Sequence, residues 1–152
     1  MTVGGTVSKP IFIKDGQYLS FTCDNAVTLG NVVKLTTTGT DTCDVGSVAS
    51  GHPTILGVAV SGDRFSRTAT DNVIAAGGKV TVCTRGVVYV LGDASAIVIG
   101  SFVEAGAAGT VGLSGAATGG AGTTHSAIDI IGVALDANTA GGQTIRVALM
   151  RF

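Results

Sequence analysis

The side chains that could carry chemistry are few, and their spacing joins none of them into a site. His52 and His125 could act as a general base or a metal ligand, yet neither has a second His or a Cys at ligand spacing. Ser47 and Ser114 lie in Gly-rich text without the GxSxG turn that exposes a hydrolase nucleophile. GGAGTT (119–124) looks like a phosphate loop, but it lacks the Lys of GxxxxGK[ST] and no helical pattern follows. Asp41 and Asp44 could share a calcium ion. Without further oxygen ligands nearby, both are read as turn formers. The ten carboxylates are dispersed, so no acid–base pair is nominated. No cofactor, no metal and no catalysis are expected.

Cys23, Cys43 and Cys83 are an odd set without CxxC spacing, which is neither a disulfide framework nor a zinc site. They are read as small buried hydrophobes in a chain folded in a reducing compartment. A Cys23–Cys43 bridge stays open. The net charge of −1 and the scattered cations, such as Lys34, Arg64, Arg85 and Arg146, argue against nucleic acid as a partner. The N-terminus has no signal-peptide pattern, and no apolar run approaches the ~18 residues of a membrane span. A soluble chain made in the cytoplasm is expected, with no membrane partner.

The elements that would hold any site are strands. QYLSFTC (17–23) alternates, with Leu19, Phe21 and Cys23 on one face. NVVKLTTT (31–38), ILGVAV (55–60), SFVEA (101–105) and AIDIIGVAL (127–135) read as further strands. GKVTVCTRGVVYVL (78–91) is one long strand bent at Gly86, and TIRVALM (144–150) buries Ile145, Val147 and Leu149. A Gly/Asp/Thr turn region follows residue 38 to about 53, and at most one helical turn fits around Asp136 to Gly141. Glycine at 24 of 152 residues supplies the turns. Many short strands with Gly-rich turns predict one all-β domain, a compact β-barrel or sandwich.

The chain also says nearly the same thing twice. AVTLGNVVK (26–34) and AIVIGSFVE (96–104) match, as do ILGVAV and IIGVAL (130–135), and as do GGKVTV (77–82) and GGQTIRV (141–147). The landmarks keep one order, so repeat one runs from about 26 to 91 and repeat two from about 96 to 152, an internal pseudo-twofold repeat. Gly57 and its twin Gly132 are expected at a bulge or a close backbone approach. Residues 1–16 read as an extended N-terminal arm ahead of a single β domain, 17–152. Gly4-Gly5 loosens it and Lys9-Pro10 extends it. The arm can pair with a neighbouring subunit or fold back on its own domain. Only 12% of residues are charged, against about 25% in ordinary domains. A surface so neutral is expected to be covered by partners.

These landmarks resemble the small, β-rich capsid cement (decoration) proteins of tailed phages. The shared series is Ala26-Val27, Gly30, Val32-Val33, Gly57-Val58-Ala59, Gly77-Gly78 to Val82 and Gly86-Val87-Val88. It continues with Gly100 and Val103, and ends with Gly132-Val133-Ala134. The match runs from about residue 17 to the end. The resemblance implies a β-tulip-like fold and a non-enzymatic structural virion protein. It implies binding to the outside of an icosahedral capsid, stabilisation of capsomer junctions, and major capsid protein and copies of itself, as a homotrimer, as partners. The candidate capsid- or neighbour-binding residues are Lys9, Pro10, Ile11, Phe12, Ile13 and Lys14 in the arm, and Arg64, Phe65 and Arg67 in a loop that only the first repeat carries. The alternatives are another β-rich phage module, such as a tail tube, spike or host-surface binder, and a small β-barrel enzyme.

Overall fold

Runs of Val, Ile and Thr between Gly-rich turns form strands throughout the parts of the chain that the structure, a computed structural model, describes: residues 12–46, 55–62, 72–114, 130–139 and 142–150. The strands are β1 (Phe12–Cys23), β2 (Val27–Thr28), β3 (Val32–Leu35), β4 (Thr42–Val45), β5 (Ile55–Gly62) and β6 (Val73–Ile74). They continue with β7 (Lys79–Leu91), β8 (Phe102–Ala105), β9 (Val111–Leu113), β10 (Ile130–Ala134) and β11 (Thr144–Leu149). The fold is all-β and barrel-like, as the alternation and turn composition predict.

The strands close two rings that share β7. In the first, β1 pairs in parallel with β4, β4 with β3, β3 with β5, and β5 with the first half of β7, which pairs back to β1. In the second, the later half of β7 pairs with β11, β11 with β10, β10 with β8, and β8 with β9. A parallel bridge between Gly92 and Val111 returns β9 to the end of β7. β1 therefore corresponds to the second half of β7, and the first half of β7 to β11. The repeating unit starts earlier than the landmarks at 26 and 96 suggest.

The hydrogen bonds repeat as well. Gly30 N–H donates to the Ala59 carbonyl at 2.8 Å, and Gly100 N–H to the Ala134 carbonyl at 2.8 Å. Ala59 N–H returns a bond to Asn31 at 2.9 Å, as Ala134 N–H does to Ser101 at 2.9 Å. Asp24 N–H reaches Cys43 at 2.9 Å, and Asp93 N–H reaches Val111 at 2.8 Å. Gly30 and Gly100 turn at φ 93° and 86°, a left-handed region costly for a side chain. The sequence motif thus records a turn glycine whose N–H closes on the alanine of GVA.

Each ring is filled by equivalent side chains. Val27, Val33, Cys43, Leu56, Val80 and Val82 pack inside the first. Ile97, Val103, Val111, Ile131, Ile145 and Val147 take the same places in the second. Full burial of a Val or Ile contributes about 1.5–3 kcal/mol, so these positions carry the stability. Four details differ from the sequence reading. Leu19 shares its strand face with Phe21 and Cys23 but is 50% exposed, because it lies toward the ring's end. The stretch after residue 38 contains β4, whose short Thr-Cys-Asp-Val run is held by strands on both sides. β9 is likewise a strand that the sequence does not mark. Finally, β1 begins at Phe12, so the arm boundary expected at residue 16 falls inside a strand that pairs with its own β7.

Gly57 and Gly132 are at close backbone approaches, as expected. A Cβ on Gly57 would lie 2.0 Å from the Cys83 carbonyl oxygen, and one on Gly132 would lie 2.3 Å from that of Ala148. Backbone on both sides cannot yield. Gly57→Ala and Gly132→Ala should each lower unfolding stability by more than about 3 kcal/mol in a urea titration. Gly77→Ala meets nothing within 4 Å and has φ 82°. It should cost only the ~1–2 kcal/mol of a left-handed side chain.

Candidate functional site

Among the described residues, no chemical centre assembles from the titratable and nucleophilic groups. Ser114 is fully buried, and its Oγ has no hydrogen-bond partner among the described residues. Asp41 is exposed and turns at φ 55°. Asp44 accepts from the Val45 N–H at 2.7 Å and from Asn25 Nδ2 at 2.8 Å. Both Asp residues thus serve turns and local bonds. Among the described residues, no group of three or more His, Cys, Asp and Glu could hold a metal ion. His52, His125, Ser47 and the 119–124 loop lie outside the described residues.

The three thiols are free and buried. Cys23 and Cys43 stand opposite each other across the parallel β1–β4 pair, with the Cys43 thiol donating to the Cys23 sulfur. Burial pushes the Cys43 thiol up to about 12, with the neighbouring Cys23 and the Asp44 carboxylate adding to it. Burial also raises Cys23 and Cys83, and Cys83 Sγ donates to the Arg85 carbonyl at 3.2 Å. A nucleophilic or metal-binding cysteine needs the thiolate, and here it is suppressed.

Charged groups at the surface are tied down locally. The Asp136 carboxylate accepts from Arg146 through its backbone N–H at 2.9 Å, Nε at 2.8 Å and Nη2 at 2.6 Å. That fork raises the guanidinium pKa, yet both side chains stay partly exposed, so it positions the β11 edge more than it stabilises. Hydrogen bonds from Thr36 and Thr38 lower the Asp24 carboxyl. A depression where β1, β7 and β11 meet is lined by Gly16, Gln17, Arg85, Gly86, Val87, Ala148 and Leu149. It offers one cation and no acid–base pair or nucleophile.

What the exterior does offer is apolar. Leu19, Leu35, Val98, Ile99 and Phe102 are exposed, Val98 and Ile99 by 67% and 65%. Sequence reading passed over them because each sits in a strand or apolar run that looks like core. The repeat gives no signal either, since Leu29, the twin of Ile99, is partly buried against the first core. Over Phe12–Phe21, β1 pairs with β7 on one flank and, among the described residues, meets β4 only at Thr22 and Cys23. Among the described residues, this flank carries no further strand pairing.

Of the contact residues expected from sequence, Lys9, Pro10, Ile11, Arg64, Phe65 and Arg67 lie outside the described residues. Phe12, Ile13 and Lys14 lie in β1, where Phe12 and Lys14 register with Val88 and Val87.

The model of the phage structural cement proteins, a family described by E217 gp24 and Pam3 gp6, matches residues 6–150. The chain belongs to the phage structural cement protein family. It is thereby a structural virion protein. No curated protein matches it. The crystal structure of the head fiber gp8.5 N base of bacteriophage phi29 superposes with a TM-score of 0.51 at 12% identity, covering 88% of this chain and 93% of that one. At that identity the likeness is one of fold.

At pH 8, thiol reagents should leave all three cysteines of the native protein unmodified and label them once it is unfolded. The Cys43 thiol is neutral in the fold and has its pKa raised from 9.0 to about 12. Its contribution to stability is intact below pH 9 and is lost as pH rises through about 12. Unfolding midpoints measured along an alkaline series should fall across that window, and Cys43→Ala should flatten the fall.

Proposed function

We propose that this protein binds the outer surface of an icosahedral phage capsid and braces the junctions between capsomers. Its partners in this reading are the major capsid protein and further copies of itself, as a homotrimer. It is made in the host cytoplasm, added to the shell, and makes or breaks no covalent bond. The observation that carries the reading is the cement-family match across residues 6–150. The absence of an assembled chemical centre among the described residues is compatible with it, as is the flank of β1 that, among the described residues, meets β4 only at Thr22 and Cys23. Strand addition at such a flank supplies main-chain hydrogen bonds with modest demands on sequence. Many weak contacts then combine on a lattice through multivalency.

The segment Lys9 to Lys14 leads directly into that strand, so it is the first contact segment in this reading. The loop with Arg64, Phe65 and Arg67 is the second, because it mixes cations with an aromatic ring. Low surface charge favours contacts of this apolar, hydrogen-bonded kind over salt-sensitive steering.

The test is co-sedimentation of the purified chain with expanded capsids that lack it. Binding in the pellet is expected, and a chain that stays in the supernatant overturns the reading. Deleting residues 1–11 ends short of β1. The truncated chain should keep its far-UV CD and thermal midpoint yet bind capsids at least about tenfold more weakly. Arg64→Ala with Arg67→Ala should weaken binding without moving the midpoint.

A further inference from the structure

The two rings touch through surfaces that are not equivalent. Val32, Val58, Val60 and Cys83 alternate along their strands with residues that fill ring one, so they stand on its outer face. All four are buried in one cluster with the interior of ring two. Ring two meets them with its rim. Val88 and Ala105 there are 0% and 4% exposed. The turn Ala107–Gly109 beside them rests on ring one, with Gly109 N–H donating to the Gly46 carbonyl at 2.9 Å.

The repeat supplies a second copy of each surface, and both are open. Phe102 is the twin of Val32 and is 41% exposed where Val32 is 0%. Val133, Leu135 and Ala148, the twins of Val58, Val60 and Cys83, are partly exposed. On the rim of ring one, Leu19 and Leu35 are the twins of Val88 and Ala105, and they are 50% and 41% exposed. The turn Thr37–Asp41 beside them is exposed as well. A two-fold contact would bury both twins of each position alike. The repeat is twofold in number, but its junction runs head to tail, and one unused half-junction remains at each end.

We propose that a second copy of this chain completes the pattern, with the outer face of ring two in one copy seated on the rim of ring one in the next. The internal junction is the template for its chemistry: aliphatic side chains of an outer face covering an aliphatic rim. Exposed apolar surface of this kind marks an interaction site. A head-to-tail contact either closes into a ring or continues as an open chain. The homotrimer would close as six rings in sequence, with three internal junctions alternating with three between copies. The inference rests on the self-association in the proposed function and not on capsid binding.

Sedimentation velocity on the full chain tests it, with Phe102→Asp to spoil the face and Leu35→Asp to spoil the rim. Both positions are exposed, so CD spectra and thermal midpoints should hold; should Leu35→Asp lose its fold, Leu19→Asp replaces it on the same rim. The unaltered chain should associate with rising concentration. Each variant should associate at least about tenfold more weakly. An equimolar mixture of the two should form a one-to-one heterodimer and nothing larger, because one copy keeps a sound rim and the other a sound face. A chain that remains monomeric at roughly 100 µM overturns the proposal. So does association untouched by either substitution, or a mixture without the heterodimer. Capsid co-sedimentation run beside it separates the two readings. Binding without self-association refutes only the contact, and self-association without binding refutes only the capsid role.

Discussion

β7 is the constraint on which the rest depends. Its 13 residues run through both rings, flanked by β5 and β1 along the first half and by β11, with β1 as far as Val88, along the second. A strand hydrogen-bonded on both flanks leaves little backbone polar surface to satisfy elsewhere, and unpaired buried amides are costly. Because one strand serves two closures, neither ring can shift register without disturbing the other. Gly86, at φ 133°, lets β7 turn from one ring into the next without a side chain in the way. The GVA glycines then bring the neighbouring strands against β7 and β11 closely enough to shut each ring.

Closure also explains what the interior contains. Two small rings leave room for Val, Ile, Leu and Ala, and little for anything polar. The cysteines obey the same limit: they sit where a methyl-sized group fits, and burial keeps them protonated. A structural virion protein needs no reactive group, and a sealed, apolar interior keeps accidental ones silent. Its exterior instead presents apolar side chains such as Val98, Ile99 and Phe102. A neutral surface of that kind is suited to being covered on a lattice.

Much of this was legible before any coordinates. The alternation at Ile145, Val147 and Leu149 named the buried face of β11 correctly. The bend at Gly86 and the close approaches at Gly57 and Gly132 were readable because glycine stands there in otherwise β-branched text. β4 and β9 were not readable. Four and three residues long, they have no alternation of their own to display. They are strands because the strand just before each, β3 or β8, and a second flank on β1 or the end of β7 offer them hydrogen bonds. Leu19 was misread for a related reason: period-two alternation gives the face of a strand but not how far along it the core extends.

By itself, then, the sequence determined the all-β class, the longer strands, the duplication and the absence of a local catalytic motif, since each follows from neighbouring residues and from the order of landmarks along the chain. Only the tertiary structure decided that the duplicated units close as two rings around a shared strand and meet head to tail. That choice lies in which of two equivalent surfaces is buried. Burial depends on contacts between residues dozens of positions apart, where Val32 and Phe102, twins in the repeat, end on opposite sides of the balance between core and solvent.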